Sequence, residues 1–404
     1  MSAAAAERFL LRREPPVLAA ATFVRQTRTV ACGQPRRLAH ARRSFGCACW
    51  HEVGGEAPKR QKVLDALLKV KPSLNAIDAP GAAPDNSLNS GAHAFPKRFD
   101  SQMPSLTAKT LGFSPIEEDV SDAGEQLGWT KVLHGEPITF RILRSLPELI
   151  PAESIQIDVF GAEAIDIASA GMLVTCHDTG GDVLGVSRAV DVGEEFVGLS
   201  IGWGGYFDHW PVFISDMLAV RESVRYTGIG VEIKKLQAAL AAERGFTEVT
   251  WTVDPLRAPN ARLNFEKLGA ISRRYERNRY GESFGVGLYG GLPSDRLHIS
   301  WRLDDPTLLA RLHGQIPAHT TADLLGLLPF DPLVPAVDKA FVLIPSDFDA
   351  LLKADHEATL VWRMELRHLL PIAFEAGLAV TGFVANASEA RNAAALLLTR
   401  LEDG

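Results

Sequence analysis

Residues 211–240, PVFISDMLAVRESVRYTGIGVEIKKLQAAL, decide the fold. The first ten residues form an apolar run typical of a buried strand, and from Ile229 onward apolar residues recur at helical spacing. Between the two stands the pattern R-x-x-G-x-G, made of Arg225, Gly228 and Gly230. A helix N-terminus presents unpaired backbone N–H groups with partial positive charge, and glycines let an anion approach them closely. The segment therefore predicts a strand–turn–helix that cradles a pyrophosphate.

Strands and helices alternate on both sides of this segment. The predicted strands are 138–143, 182–190, 195–203, 211–220, 246–253 and 270–280. The predicted helices run from the Ser145/Glu148 capping box to about Phe160, over 166–177, from Ile229 onward, and from Pro259 to Gly269. The order β-α-α-β-β-β-α-β-α-β predicts an α/β fold, with a mixed, mostly antiparallel sheet flanked by helices.

Outside this predicted domain, 136–304, three further regions differ in composition. Residues 305–404 predict a small α+β unit, with a strand at 339–348, a helix at 356–377 and a strand at 378–385; the last run, RNAAALLLTRLE, fits either helix or strand. Residues 63–135 are rich in Pro, Gly, Ser and Asn and predict a low-order linker, apart from a short helix at 63–70. Residues 1–62 predict a basic extension.

Charge is distributed unevenly along the chain. Residues 1–62 carry 12 Lys and Arg against 4 Asp and Glu, whereas residues 63–404 carry a formal charge of -15. An acidic body is a poor partner for nucleic acid or an anionic membrane. The Ala- and Arg-rich head is typical of an organelle transit peptide, or of an extension translated from a start codon placed too early. Without a transit peptide, we expect a cytoplasmic protein.

Cysteines are few, and they predict no metal site. The chain has 4 Cys in 404 residues, which fits a reducing compartment. Cys47, Cys49 and His51 stand close together, but no second pair of ligands follows at the spacing that zinc sites use.

Two of the stretches above resemble a known family. VRESVRYTGIG (220–230) resembles the acyl-CoA-binding motif of the GNAT acyltransferase superfamily, and NARLNFEKLGA (260–270) is similar to its second motif. A bacterial branch of the superfamily is closer still, through TWTVDPLRAPN (250–260), RRYERNRYG (273–281), GLPSDRLHISW (291–301) and IPSDF (344–348). The resemblance covers about 138–385.

The resemblance implies a GNAT-like fold and an acyl-CoA co-substrate, most simply acetyl-CoA, with no metal. It implies that an amine, on an amino acid or another small molecule, attacks the thioester directly. Backbone N–H groups of 225–230 would hold the pyrophosphate. Strand 217–220 would splay from its neighbour and pair with the pantetheine arm through backbone groups, and Asn260 would form a hydrogen bond to that arm. The implied coenzyme-binding residues are Met217, Leu218, Val220, Arg225, Tyr226, Thr227, Gly228, Ile229, Gly230, Asn260 and Phe265. Taken alone, Arg225 also fits a solvated arginine in a turn. Gly228 and Gly230, each taken alone, also fit an ordinary turn before a helix.

The usual acid–base pair of the family is missing. Phe265 stands where many members have the Tyr that protonates the departing thiolate, and Asp216 stands where this branch leads us to expect His. Tyr280 is the replacement candidate for the general acid, and Asp216 for a base that acts through water. Tyr280 could instead serve only in packing, and Asp216 could instead cap a turn; both alternatives stay open.

Other residues near this segment offer weaker candidates. Arg273, Arg277 and Arg279 share one predicted strand face with Tyr275, where they would either hold a carboxylate or be solvated. Succinyl-CoA is therefore a minor donor option. The loop 202–213 would form either a binding wall or a packed hairpin. Its aromatic residues are Trp203, Tyr206, Phe207 and Trp210, and its His209 is a minor base candidate.

Two further motifs, G-x-S-x-G at 281–285 and G-x-G-x-x-G at 285–290, lack the following helix that a nucleophile elbow or a dinucleotide fold needs. A CoA-binding sensor or interaction module without turnover is the second functional hypothesis. The acceptor and the oligomeric state stay open, with a dimer as one option.

Overall fold

A 12-stranded sheet organises the computed structural model, which describes residues 105–161, 167–207, 209–281 and 290–401. The strands are β1 (Ser114–Pro115), β2 (Gly128–Leu133), β3 (Glu136–Ile142), β4 (Asp182–Ala189), β5 (Glu194–Phe207), β6 (Trp210–Val220), β7 (Glu248–Val253), β8 (Ile271–Glu276), β9 (Arg296–Arg302), β10 (Lys339–Pro345), β11 (Leu378–Ser388) and β12 (Ala393–Arg400). Their order across the sheet is β1-β2-β3-β4-β5-β6-β7-β9-β8-β11-β12-β10.

Seven α-helices connect these strands within the described residues. They are α1 (Leu146–Phe160), α2 (Ala170–Asp178), α3 (Ile229–Glu243), α4 (Ala258–Ala261), α5 (Leu308–Leu312), α6 (Phe348–Ala354) and α7 (His356–Glu375). A π-helical turn, Arg262–Lys267, extends α4, and short 3-10 turns lie at Glu222–Val224 and Thr321–Leu324.

One pair of named strands, β6 and β7, is parallel, and every other named pair is antiparallel. A parallel pair needs a crossover connection, and α3 supplies it. The next connection, through α4, carries the chain past the neighbouring position to β8, and β9 returns to fill the gap between β7 and β8. The single parallel pair therefore lies in the middle of the sheet.

Helices cover both faces of the sheet around β6. Ile233 and Leu236 of α3 belong to the large hydrophobic cluster on one face, together with Phe213 of β6. On the other face, α1 and α2 bury Leu149 and Leu173 in a second cluster. The capping box predicted at Ser145 is present at the start of α1, where Glu148 accepts from the Ser145 backbone N–H. The predicted α/β class and its mostly antiparallel sheet are confirmed.

The N-terminal and C-terminal boundaries differ from the sequence prediction. Residues 128–133, predicted to belong to a linker that ends at 135, form β2 and pair with β3 along its whole length. The prediction is wrong there because β2 lies near the rim of the sheet, where partial exposure of both faces blurs the two-residue alternation. Residues 1–62, the short helix predicted at 63–70 and the Cys47/Cys49/His51 group lie outside the described residues.

The predicted C-terminal unit, for which the sequence allowed either packing on the first domain or continuity with it, continues the main sheet. β8 pairs with β11 at Ser272 and Val380, and β11 leads on to β12 and β10. The run that fitted either helix or strand is β12, buried along most of its length. The predicted strand 270–280 is too long, since β8 ends at Glu276 and Asn278 adopts a positive φ of 50°.

Buried ion pairs fasten α7 to the end of β7. Arg363 Nη2 donates to Asp254 Oδ2 at 2.5 Å, and neither side chain is more than 1% exposed. One turn later along α7, Arg367 binds the buried Asp295, which also accepts from the Tyr275 hydroxyl. The first pair holds the residue that directly follows β7, so α7 helps to set where β7 ends, and the second holds the residue that directly precedes β9.

Asp254→Ala should reduce the free energy of unfolding by about 3–5 kcal/mol, because it leaves the Arg363 guanidinium buried without its carboxylate. Urea unfolding at neutral pH measures the loss. Glu365→Ala is the matched control: it removes the carboxylate of an exposed pair with Arg391 and should cost less than about 1 kcal/mol. Equal losses in the two variants would contradict the anchoring role of the buried pair.

Candidate functional site

A fork between the two parallel strands is the centre of the candidate site. β6 and β7 pair only at Phe213/Val249 and Ile214/Thr250. Beyond that point, each strand continues without pairing to the other in the described part of the chain. Asp216 is the cause on the β6 side, because it forms a bulge: its neighbours pair with consecutive β5 residues and it pairs with none. A bulge bends its strand, and here it opens a cleft between β6 and β7.

The loop at the open end of the fork carries a row of available N–H groups. Within the described residues, the backbone N–H groups of 226–230 donate to no protein acceptor; the first that do are those of Val231 and Glu232, both to Gly228 O. Tyr226 (φ 66°) and Gly228 (φ 90°) turn the chain through the left-handed region. These N–H groups and the N-terminus of α3 together form a site suited to an anion.

Side chains fix this loop from three sides. Arg225 Nε donates to Val220 O at 3.3 Å, and Thr227 Oγ1 donates to Val224 O at 2.7 Å. His134, in the turn between β2 and β3, contacts Thr227 O through Nε2 at 3.0 Å. β2, whose residues were predicted to belong to a linker, therefore leads into a turn that supports the loop 225–230, which we call the anion loop.

The inner end of the fork holds a buried lysine. Lys234 of α3 donates from Nζ to Ser215 Oγ at 2.6 Å, and Nζ lies 3.7 Å from the centre of the Trp251 ring. Ser215 and Trp251 belong to the two strands that separate there. Burial lowers the pKa of the Lys234 ammonium to about 7. One turn further along α3, Gln237 Oε1 is buried without a partner among the described atoms, so the layer beneath the fork is polar.

Both predicted catalytic residues lie near Arg279, on the other side of the fork. Asp216 is exposed, but the surrounding protein displaces part of the water around its carboxyl and so raises its pKa, and the charge of Arg279 opposes that rise. The Arg279 guanidinium lies 5.5 Å from the Tyr280 ring centre. The Tyr280 hydroxyl is 3.4 Å from Thr252 Oγ1 on β7. The two candidates therefore share a neighbourhood beside β7, although they are 64 positions apart in sequence.

A histidine that the sequence analysis did not single out joins this neighbourhood. His298 of β9 pairs across the sheet with Thr252, and its Nε2 lies 2.6 Å from Glu276 Oε2. Burial lowers the pKa of His298 below its usual value, and the bond to Glu276 works the other way. A neutral imidazole oriented by a carboxylate is a second candidate base. The only signal in the sequence is a histidine between two apolar residues, Leu297 and Ile299.

The remaining predicted coenzyme residues divide between the cleft and the core. Gly230 faces β6, where a Cβ would meet Val220 and Leu218 at 3.7 and 3.9 Å. Met217 packs on the α1–α2 face, half-buried. Asn260 lies half-buried in α4. Phe265, in the π-helical turn, is 1% exposed and belongs to the hydrophobic core.

The predicted arginine face does not form. Arg279 pairs with Glu276 at 2.6 Å, and Arg277 donates to Arg367 O at 3.2 Å. Tyr275 points into the buried Asp295 network instead of sharing a surface with them. The two-residue alternation fails because the strand ends at Glu276 and the chain then turns.

The aromatic segment 202–213 is a hairpin formed by β5 and β6, which pair as far as Phe207 and Trp210. Phe207 stacks near His298, with ring centres 5.6 Å apart, whereas Tyr206 and Trp210 are largely exposed. His209 lies in the tight turn with φ 73°, and Trp203 packs against the α1–α2 cluster.

Some predictions cannot be placed. Most of the G-x-S-x-G and G-x-G-x-x-G motifs fall in 282–289, outside the described residues. Across the residues that are described, no group of three or more His, Cys, Asp or Glu side chains could hold a metal ion. In the same part of the chain, no helix is long and apolar enough to cross a membrane.

Comparisons with known proteins give only distant matches. No protein family matches the sequence, and no curated protein matches it. The ribosomal-protein-S18-alanine N-acetyltransferase of Escherichia coli is 16% identical over 41% of this chain and 94% of its own, with a TM-score of 0.32. Arabidopsis thaliana NAA60, in complex with a bisubstrate analogue, is 15% identical over 41% and 98%, with a TM-score of 0.31.

A third match is an IAA acetyltransferase from Bacillus cereus, 13% identical over 41% of this chain and 99% of its own, with a TM-score of 0.30. Similarity at this level assigns neither an activity nor a substrate to this chain. The fork and its residues therefore provide the basis for a function.

Lys234→Met should raise the free energy of unfolding by about 1–4 kcal/mol below pH 7, because it replaces a buried ammonium with an apolar side chain of similar length. The folded state releases the Lys234 proton near pH 7, whereas the unfolded chain keeps it to about pH 10.5. The wild type therefore gains stability as the pH rises above 7, and the advantage of the variant should shrink over that range. Urea unfolding at a series of pH values measures both effects.

Lys235→Met is the control, since the Lys235 ammonium, unlike that of Lys234, has a carboxylate partner, Glu232, at 2.9 Å. It should not stabilise the protein. A gain for Lys234→Met that stayed constant between pH 6 and 10 would contradict the lowered pKa.

Proposed function

We propose that this chain is an acyl-CoA-dependent N-acyltransferase that uses acetyl-CoA to acylate a small amine or amino acid. The observation that carries the proposal is the fork between β6 and β7, which leads from the loop of available N–H groups to a polar inner end. A ligand that fills it needs an anionic group at one end and an extended arm with amide groups. Coenzyme A has both.

The coenzyme follows the cleft in this proposal. The N–H groups of 226–230 bind its pyrophosphate, with Arg225 beside them as a further positive charge. One edge of β6 from Met217 to Val220 pairs with β5, whereas the edge that faces β7 pairs with no strand in the described residues. The backbone groups on that free edge bind the two amides of the pantetheine arm. Asn260 contributes a side-chain amide. The acyl group then lies near the bulge at Asp216.

The acceptor approaches from the face that carries Asp216 and Tyr280. The amine nitrogen attacks the thioester carbonyl, whose oxygen is polarised by a β6 backbone N–H. Asp216 takes the amine proton, directly or through water, and its raised pKa brings it closer to the range in which a base is effective. His298, oriented by Glu276, is the alternative base, and Tyr280 is a hydroxyl donor on the same face.

A CoA-binding sensor without turnover is the second candidate. Phe265 favours it, because a buried phenyl ring cannot supply the proton that the corresponding Tyr gives in many GNAT enzymes. In either case the acidic body argues against nucleic acid and anionic membranes as partners. We propose a cytoplasmic location, or an organelle if residues 1–62 act as a transit peptide.

Gly230→Val should weaken CoA binding at least tenfold while the fold is retained, because the added side chain enters the cleft beside Val220 and Leu218. Isothermal titration calorimetry measures the affinity. Gly171→Val is the matched control: Gly171 is also the second residue of its helix, and nothing lies within 4 Å of the position its Cβ would take. If the two variants bound CoA as tightly as the wild type, the cleft would not be the coenzyme site.

Turnover separates the enzyme from the sensor. We expect thiol release from acetyl-CoA, and not from succinyl-CoA, in the presence of one or more members of an amino-acid and polyamine panel. Asp216→Asn should lower kcat by about 10²–10⁴-fold with little change in CoA affinity, since it removes the base and keeps the shape. Stabilisation by CoA without turnover on any acceptor would favour the sensor. An unchanged kcat in Asp216→Asn would assign the base to His298.

A further inference from the structure

We propose that Lys234 is the proton donor to the sulfur of the coenzyme, an inference that rests on the acyl-CoA site proposed above. Its Nζ lies at the inner end of the fork, between Ser215 on one separating strand and Trp251 on the other. The role is open in this chain, because Phe265 replaces the tyrosine that supplies the proton in many GNAT enzymes.

The length of the cleft places the sulfur near Lys234. From Val220, beside the anion loop 225–230, to Ser215 the strand advances five residue steps, or roughly 17 Å at 3.3 Å per residue. The pantetheine arm, from pyrophosphate to sulfur, has the length of about four to five residues of extended chain. An arm that starts at the loop therefore ends at Ser215 or one residue before it.

Lys234 has no carboxylate partner that would fix it as a structural ion. Its only polar contact in the described structure is the Ser215 hydroxyl, and none of the ion pairs found there includes it. The titratable side chains on the elements around it point elsewhere or pair among themselves. Glu232 and Lys235 of α3 bind each other, Glu248 begins β7, and Asp216 faces Arg279.

The trio of Ser215, Trp251 and Lys234 thus leaves one ammonium proton for a ligand. The Trp251 ring accepts a cation on its face, and Ser215 accepts one of the three N–H bonds. A sulfur atom that enters the fork offers the remaining hydrogen-bond site.

The proton balance of the step is complete. The amine nitrogen forms a bond to the carbonyl carbon, the C–S bond breaks, and its electron pair goes to sulfur. Lys234 gives one proton to that sulfur and becomes a neutral amine, while Asp216 receives the proton lost by the acceptor nitrogen. Solvent then returns a proton to Lys234 and takes one from Asp216. An amine with a pKa of about 7 donates readily to a thiolate, whose thiol has a pKa of about 8.5.

Tyr280 is poorly placed for this step. Its hydroxyl lies by Thr252, and side chains that are neighbours along a strand point to opposite faces, so Thr252 and the Trp251 beneath Lys234 face away from each other. Lys234 therefore serves the coenzyme side of the fork, and Tyr280 the acceptor side.

The test compares CoA with desulfo-CoA, which lacks the sulfur, across pH 5.5–9. If Lys234 contacts the sulfur, the affinity of the wild type for CoA divided by its affinity for desulfo-CoA should fall about tenfold for each unit by which the pH drops below 7. The reason is that Lys234 and the bound sulfur share a single proton, whereas the free ammonium and the free thiol hold two, so binding releases one. This decrease of the ratio below pH 7, its acidic limb, should be absent in Lys234→Met and present in Lys235→Met. Calorimetry gives both affinities without an acceptor.

Each outcome decides the inference. A wild-type ratio without an acidic limb, or a limb that persists in Lys234→Met, would overturn the role of Lys234 while leaving the CoA site in place. Failure of both ligands to bind would overturn the proposed function, and this inference with it. With an active acceptor, Lys234→Met should also lower kcat more than it changes KM, and Lys234→Arg should not restore it, because arginine keeps its proton throughout this range.

Discussion

The incomplete pairing of β6 with β7 is the constraint on which the rest of the site depends. Two parallel strands that stay paired would form a closed sheet with no room for a ligand. Here the crossover through α3 forces them to be neighbours, and the bulge at Asp216 ends the pairing after two residue pairs. The unpaired strand edges and the N-terminus of α3 then point into the same cleft. One extra residue in β6 thus determines where a ligand can enter.

Neighbouring elements keep the fork open from outside it. Asp254 follows β7 directly and is held by Arg363 of α7, so the end of β7 is fixed by a helix more than 100 residues away in sequence. On the other side, β6 pairs with β5 at every residue except Asp216, and β2 leads into the turn that supports the anion loop 225–230. The strands cannot close on each other without breaking these contacts. The cleft is therefore a property of the whole sheet.

Local patterns allowed the sequence to predict much of the fold. The R-x-x-G-x-G turn, the Ser145 capping box and the apolar periodicity of α3 each depend on residues close together in the chain, and each is present. The family resemblance implied that β6 splays from its neighbour, but no local pattern predicts the bulge that causes it, because a bulge arises from the register between β5 and β6. Nor could the link between His298 and Glu276, which two strands bring together. The predicted arginine face on 270–280 failed for the complementary reason: alternation says nothing about where a strand ends.

Lys234 shows that helical periodicity can give the wrong burial for an individual residue. Helical spacing predicts an apolar face on α3 and places both Lys234 and Lys235 beside the opposite, solvated face. In the structure Lys235 pairs with Glu232. The Lys234 ammonium is buried under the fork, where it contacts the Ser215 hydroxyl and the Trp251 ring. A buried, unpaired ammonium lowers stability, and an apolar residue would fill the same space at no such cost. A lysine at that position is best explained by a ligand atom that shares its proton, and the fork is the path by which that atom would arrive.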